Sequence, residues 1–132
     1  MTARTVYEDE FATVTYDPER KFLWYRRTAK PYPTLDDAAK SVTNARSSLP
    51  VGTKLEHHVF LMDVREGPLR SDKDFEKVMT GTGPELSHLF KRSAVLVKTA
   101  IGKLQQMRIR TERGTRSEIF DDEKRALEYL LG

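Results

Sequence analysis

The side chains that most often carry catalysis or bind metals are few in this sequence. The chain has no cysteine, which excludes thiolate chemistry, disulfides and cysteine-based zinc sites. Its only histidines are His57, His58 and His88. Neighbouring residues of a strand point to opposite faces, so the adjacent pair could not easily bind one metal ion together. No HExxH motif or acidic triplet adds ligands, and we expect no metal.

Nucleophile and phosphate-binding motifs are also missing. No serine lies in a G-x-S-x-G turn, and neither a Walker loop nor a G-x-G-x-x-G loop occurs. The nearest glycine-rich stretch, residues 81–84, follows a predicted helix rather than a strand, and it is better interpreted as a helix break. The sequence therefore predicts a protein that is not an enzyme and needs no cofactor.

Ser71 stands where a helix is predicted to begin, and it has two interpretations. It could be a regulatory phosphosite, because phosphate is favourable at a helix N-terminus and Arg65 and Arg70 are near in sequence. It could equally be a plain N-cap, with Asp74 in the first turn. Capping alone explains the residue, so we favour the second interpretation.

Positive charge is concentrated in residues 91–116, which hold eight basic side chains and one acidic one, Glu112. This basic segment could dock an acidic protein, nucleic acid or anionic lipid headgroups. It could also be a solvated helix face balanced by the acidic residues that follow, which base rates favour. Nucleic acid is not favoured, because the segment lacks interleaved aromatics and the net charge is only +3. The candidate docking residues are Lys103, Arg108, Arg110, Arg113 and Arg116.

The strand pattern predicts an opening hairpin followed by central strands. Residues 11–16 and 21–27 alternate β-branched and aromatic side chains around a turn, and residues 4–8 could add an edge strand. Residues 58–64 and 93–99 are nearly unbroken apolar runs, which are typical of central strands covered on both faces. With 132 residues the chain fits one domain, residues 1–132.

Helices are predicted between these strands. Thr34 and Thr99 are candidate N-caps, and the helix over 100–112 should turn Ile101, Leu104 and Met107 inward. Its basic residues would then lie on the other side. Further helices are expected after Ser71 and at the C-terminus. This alternation predicts an α/β fold, a mixed sheet with parallel central strands and helices packed on it.

Three segments carry a resemblance to a known family: HVFLMDVREGPLRSDKDFEKVM, SAVLVKTAIGKLQQMRI and SEIFDDEKRALEYLL. With the hairpin they resemble the STAS-like fold, and more narrowly the small bacterial SpoIIAA-like or STAS/SEC14 proteins. The resemblance implies partner binding, since the wider family includes anti-sigma-factor antagonists switched by phosphorylation within an Asp-Ser-Ser/Thr-Gly type motif. Residues 63–72 match that region, and the motif is absent from them.

We therefore predict a non-enzymatic regulatory module that docks on a partner protein or forms a homodimer. The alternative is a carrier of a small apolar, lipid-like ligand, which the SEC14-like side of the resemblance implies. Its pocket would lie between sheet and helices. No stretch is long and apolar enough to span a membrane, and the N-terminus does not resemble a secretory signal, so we expect a cytoplasmic protein. The candidate pocket residues are Met62, Phe75, Met79, Phe90 and Met107.

Overall fold

A six-stranded mixed sheet forms the centre of the protein. The structure is a computed structural model that describes residues 3–49, 54–68, 73–80 and 87–132. The strands lie side by side in chain order; the first three pair antiparallel, and the third to the sixth pair parallel. The predicted hairpin, edge strand and parallel central strands are thereby confirmed. The strands are β1 (Arg4–Glu8), β2 (Ala12–Asp17), β3 (Phe22–Arg27), β4 (Val59–Asp63), β5 (Arg92–Leu96) and β6 (Glu118–Phe120).

Four helices are described between and after the strands. Thr34 and Thr99 cap the first and third of them as predicted, each accepting a hydrogen bond from a first-turn backbone N–H. Gly114 ends the third helix with φ +68°, a conformation that glycine adopts without strain. Residues 87–89 are also helical, and Leu55–His57 form a 3-10 turn. The helices are α1 (Leu35–Ser47), α2 (Lys73–Thr80), α3 (Ala100–Arg113) and α4 (Glu123–Leu131).

Strand β4 is covered on both faces, as its apolar run predicts. Phe60 belongs to a cluster beneath α1 that includes Leu23, Ala45 and Phe90. Leu61, its neighbour, belongs to the cluster on the opposite face, which α4 covers. A strand whose successive side chains both enter a core has no solvent-facing side, which explains why its sequence does not alternate.

Helix α3 differs from the expectation. Ile101, Leu104 and Met107 do not face inward: they are 71%, 66% and 49% exposed. The buried residues of this helix are Gly102 and Ile109, seven positions apart and therefore on one face. Helical spacing correctly identified an apolar stripe, but spacing does not reveal which side of a helix the sheet covers.

We expect Thr99→Ala to lower the free energy of unfolding by about 1 kcal/mol, because the Thr99 hydroxyl accepts from the Gly102 N–H at 3.0 Å. Urea denaturation would measure the loss. Thr99→Ser is the matched control, since serine keeps the hydroxyl and should retain most of the stability. Equal losses in both variants would show that the methyl group matters and not the cap.

Candidate functional site

Exposed apolar side chains are concentrated on α3. We call Ile101, Leu104 and Met107 the α3 stripe; because they are three residues apart, they follow one another along one side of the helix. Within the described ranges, the one other large apolar residue this exposed is Leu89, at 45%. Its neighbour His88 bonds through Nε2 to the Gly114 carbonyl at 3.2 Å, near the end of the same helix. Exposed apolar surface in a soluble fold marks a candidate interaction site.

One flank of the stripe is fixed to α2 by a buried carboxylate. The Arg108 guanidinium donates to Glu76 through both terminal nitrogens and also to Glu112 at 3.0 Å. The Glu76 side chain is only 3% exposed and also accepts from Gln105 at 3.4 Å. The hydrogen bonds from Arg108 lower the pKa of Glu76 below its ordinary value. Glu76 therefore stays ionised and neutralises Arg108.

The other flank is balanced by acids on and after β6. Lys103 Nζ lies 3.9 Å from an Asp121 carboxylate oxygen, and Arg110 donates to Glu118 at 3.3 Å. These cations lie on the side of the helix away from Arg108. The predicted docking residues therefore do not form one continuous positive surface: they border the apolar stripe on two sides, largely neutralised.

The last two predicted docking residues lie at and beyond the C-terminal end of α3. Arg113 is half-buried and near enough to Glu76 to contribute to its lowered pKa. Arg116 is exposed, and its backbone N–H donates to the Ser87 hydroxyl at 3.2 Å. Neither side chain lies along the stripe, so the basic segment contributes to the rim of this surface and not to its centre.

Among the described residues predicted to line an apolar pocket, two lie in one cluster and the others lie elsewhere. Met62 and Phe90 share the cluster beneath α1, whereas Phe75 lies in a separate one with Tyr32. Met107 faces solvent, so its assignment to an internal pocket is wrong. The side chain of Met79 falls outside what the structure describes.

Ser71 also lies outside the described residues, and the phosphosite stays a prediction.

Sequence reasoning missed a polar cluster at the carboxyl end of β4. Asp63, 5% exposed, accepts from the Trp24 indole at 3.3 Å and from two nitrogens of Arg65 at 2.9 and 2.8 Å. Arg65 also donates a hydrogen bond to Glu123 of α4 at 2.9 Å. Burial alone raises the pKa of Asp63, but the hydrogen bonds and charge of Arg65, together with the hydrogen bond from Trp24, lower the pKa below its ordinary value. The sequence did contain a signal for this cluster: an acidic residue ends an apolar strand, and an arginine follows two residues later.

Two shallow clefts lie on either side of Arg65. One, of about 340 Å³, is lined by Arg26, Asp63 and Glu123 among others. The other, of about 200 Å³, reaches Lys98 and Gly102 at the start of α3. Carboxyl ends of parallel strands are common ligand sites. Arg65 lines both clefts, but its guanidinium already donates hydrogen bonds to Asp63 and Glu123. We therefore assign this side chain a structural role and not a ligand-binding one.

A second polar cluster lies beside the middle of α1. Asp9 accepts from the Ser41 hydroxyl at 2.8 Å, the Phe11 N–H at 2.7 Å and the Tyr7 hydroxyl. Burial and then the bond to Asp9 raise the pKa of Tyr7 to about 12. Tyr7 is thus protonated at neutral pH, and Asp9 links it on β1 to Ser41 on α1.

Across the described ranges, no helix combines the length and apolar character needed to cross a membrane. In the same part of the chain, no group of three or more histidine, aspartate or glutamate side chains is placed to hold a metal ion.

Comparison with known proteins identifies the fold. No family model matches the sequence, and no curated protein matches it. Among solved structures, the chain is similar to an uncharacterised protein of the DUF3478 family with a SpoIIAA-like fold from Shewanella loihica PV-4. The two share 20% identity with a TM-score of 0.54, over 98% of this chain and 94% of that chain.

The protein is therefore an α/β protein built on a mixed sheet with parallel central strands. More narrowly, its fold is similar to the SpoIIAA-like fold, in agreement with the STAS-like fold that the sequence resembles. At 20% identity the likeness establishes the fold alone.

Proposed function

We propose that the chain is a non-enzymatic, regulatory binding module that docks on a protein through the α3 stripe. The observation that carries the proposal is the exposure of Ile101, Leu104 and Met107 on a helix whose opposite side packs on the fold. The proposal places this role in the cytoplasm, which agrees with a sequence free of cysteine.

Covering the stripe would release a useful amount of free energy. Full burial of an Ile, Leu or Met side chain contributes about 1.5 to 3 kcal/mol, so the exposed fractions correspond to about 3 to 6 kcal/mol in total. Helix α3 is already formed without a partner: Gly102 and Ile109 are buried against the fold, and Arg108 forms an ion pair with Glu76 of α2. A partner would therefore not have to order the helix in order to bind it.

The paired charges favour an apolar protein surface over a polyanion. Binding to nucleic acid or anionic lipid depends on free cations that replace counterions. Lys103, Arg108 and Arg110 already contact carboxylates of this chain. The apolar carrier, the alternative function, loses support because its predicted lining residues are divided between separate clusters and solvent.

Site-specific photo-cross-linking in living cells would test the proposal. With a photoreactive amino acid in place of Leu104, we expect a discrete protein adduct of defined mass. The same amino acid at Glu128, exposed on α4, is the matched control and should give none. A second substitution, Ile101→Glu, should abolish the adduct at position 104. No adduct at 104, or equal adducts at both positions, would refute docking through α3.

A further inference from the structure

We propose that the partner at the α3 stripe is a second copy of this chain, in a two-fold dimer with the two α3 helices antiparallel. This inference rests on the proposed function and names its partner. In a two-fold interface, residue i contacts residue j while j contacts i, so one patch must be complementary to itself. The α3 stripe can be tested for that property directly.

The stripe is symmetric about its middle residue. Ile101 precedes Leu104 by three positions and Met107 follows it by three. In an antiparallel pair with the axis beside Leu104, the two copies of Leu104 meet each other. Ile101 then meets Met107 of the partner copy on one side of the axis, and Met107 meets Ile101 of the partner copy on the other side. Each exposed apolar side chain thus meets an apolar side chain.

The charges around the stripe permit two identical faces to approach. Like charges brought together across an interface oppose association. Here Arg108 is neutralised by Glu76 and Glu112 on one flank, and Lys103 by Asp121 on the other. The rim of each copy therefore carries compensated ion pairs, which suits a face that meets its own copy and gives little attraction to a polyanion.

The small exposed area favours a weak dimer. The exposed surface of the stripe is about that of two whole apolar side chains, and a two-fold dimer would bury this surface on each of the two copies. A 14-residue helix is about 21 Å long, and one helix pair lies at or below the low end of the about 1,200–2,000 Å² typical of stable interfaces. We therefore expect a weak, reversible dimer with a dissociation constant between about 10 µM and 1 mM.

Cysteine trapping tests the geometry, and the chain suits it because it has no native cysteine. Under mild oxidation of the full chain, Leu104→Cys should form a disulfide-linked dimer within minutes, because the axis brings the two copies of residue 104 together. Glu128→Cys, exposed on α4, is the matched control and should stay monomeric. Equal trapping at both positions, or none at 104, would overturn the proposed dimer.

Sedimentation of charge-swapped variants gives an independent result. The chain without substitutions should self-associate below about 1 mM. Leu104→Glu and Leu104→Lys alone should each weaken association at least about tenfold, and their mixture should restore it, because the two-fold axis pairs the opposite charges. A native chain that stays monomeric to about 1 mM, or a mixture that does not associate, would overturn the dimer.

The two proposals fail separately. A photo-adduct at position 104 with the mass of some other protein would leave docking through α3 standing and refute the dimer. Absence of any adduct would refute both.

Discussion

Replacing Leu61 by alanine should lower the free energy of unfolding by about 2 to 5 kcal/mol. Leu61 is fully buried in the middle of β4, between strands β3 and β5 and beneath α4. Truncation removes apolar contacts and leaves a cavity that the paired strands on both sides cannot readily close. Urea denaturation at neutral pH would measure the loss.

Leu104→Ala is the matched control for Leu61→Ala. It deletes the same atoms from a side chain that is 66% exposed, so at low protein concentration stability should change by no more than about 0.5 kcal/mol. A small loss at Leu61, or a comparable loss at Leu104, would contradict the placement of these two leucines.

Asp63→Ala should also have a large effect: we expect it to lower the free energy of unfolding by about 2 to 4 kcal/mol at neutral pH. The substitution removes the carboxylate that accepts from the Trp24 indole N–H and from two nitrogens of Arg65, and it leaves Arg65 with Glu123 as its remaining carboxylate partner. Asp121→Ala is the control, because Asp121 is a half-exposed ion-pair partner of Lys103. Its substitution should lower the free energy of unfolding by about 0.5 kcal/mol or less. Equal effects of the two substitutions would contradict the structural role of Asp63.

The Asp63 contribution should depend on pH in a defined direction. Its pKa is lower in the folded protein than in the unfolded chain, where the pKa of aspartate is about 3.9. Its stabilising charge interaction is therefore fully present above that unfolded pKa and is lost as pH falls through the folded value. The difference in stability between Asp63→Asn and the native chain should be constant near neutral pH and shrink in acid. A pH-independent difference would argue against ionisation as its source.

The sheet could be predicted from sequence because its signals are local. Residues 58–64 and 93–99 are apolar runs that need cover on both faces, and their pairing as β4 and β5 follows from alternation with helices. The caps at Thr34 and Thr99 could also be predicted, since each bond joins residues only three positions apart.

The candidate site could not be predicted in the same way because it depends on contacts between distant residues. The spacing of the α3 stripe is the same whether it faces the core or solvent. The structure turns Gly102 and Ile109 inward, and only this packing makes Leu104 an exposed residue. Likewise, neutralisation of Arg108 requires Glu76 from a different helix, 32 positions away.

The basic segment illustrates the consequence for function. A list of residues 91–116 suggests a positive surface, but the structure distributes the cations over two flanks and pairs Lys103, Arg108 and Arg110 with acids. The centre of the surface is apolar. A partner at this surface is therefore expected to present an apolar protein face, and not the acidic surface that was one of the two interpretations of the basic segment.

Exposure of the α3 stripe in the dilute, monomeric protein is the claim on which both proposals depend. Methyl NMR with a soluble nitroxide tests it most directly, by comparing Ile101, Leu104 and Met107 with the buried Leu61. We expect the nitroxide to broaden the stripe methyl signals strongly and to leave Leu61 unaffected. Stripe methyls as protected as those of Leu61 would contradict the account, because the surface proposed to bind a partner would already be covered by the chain itself.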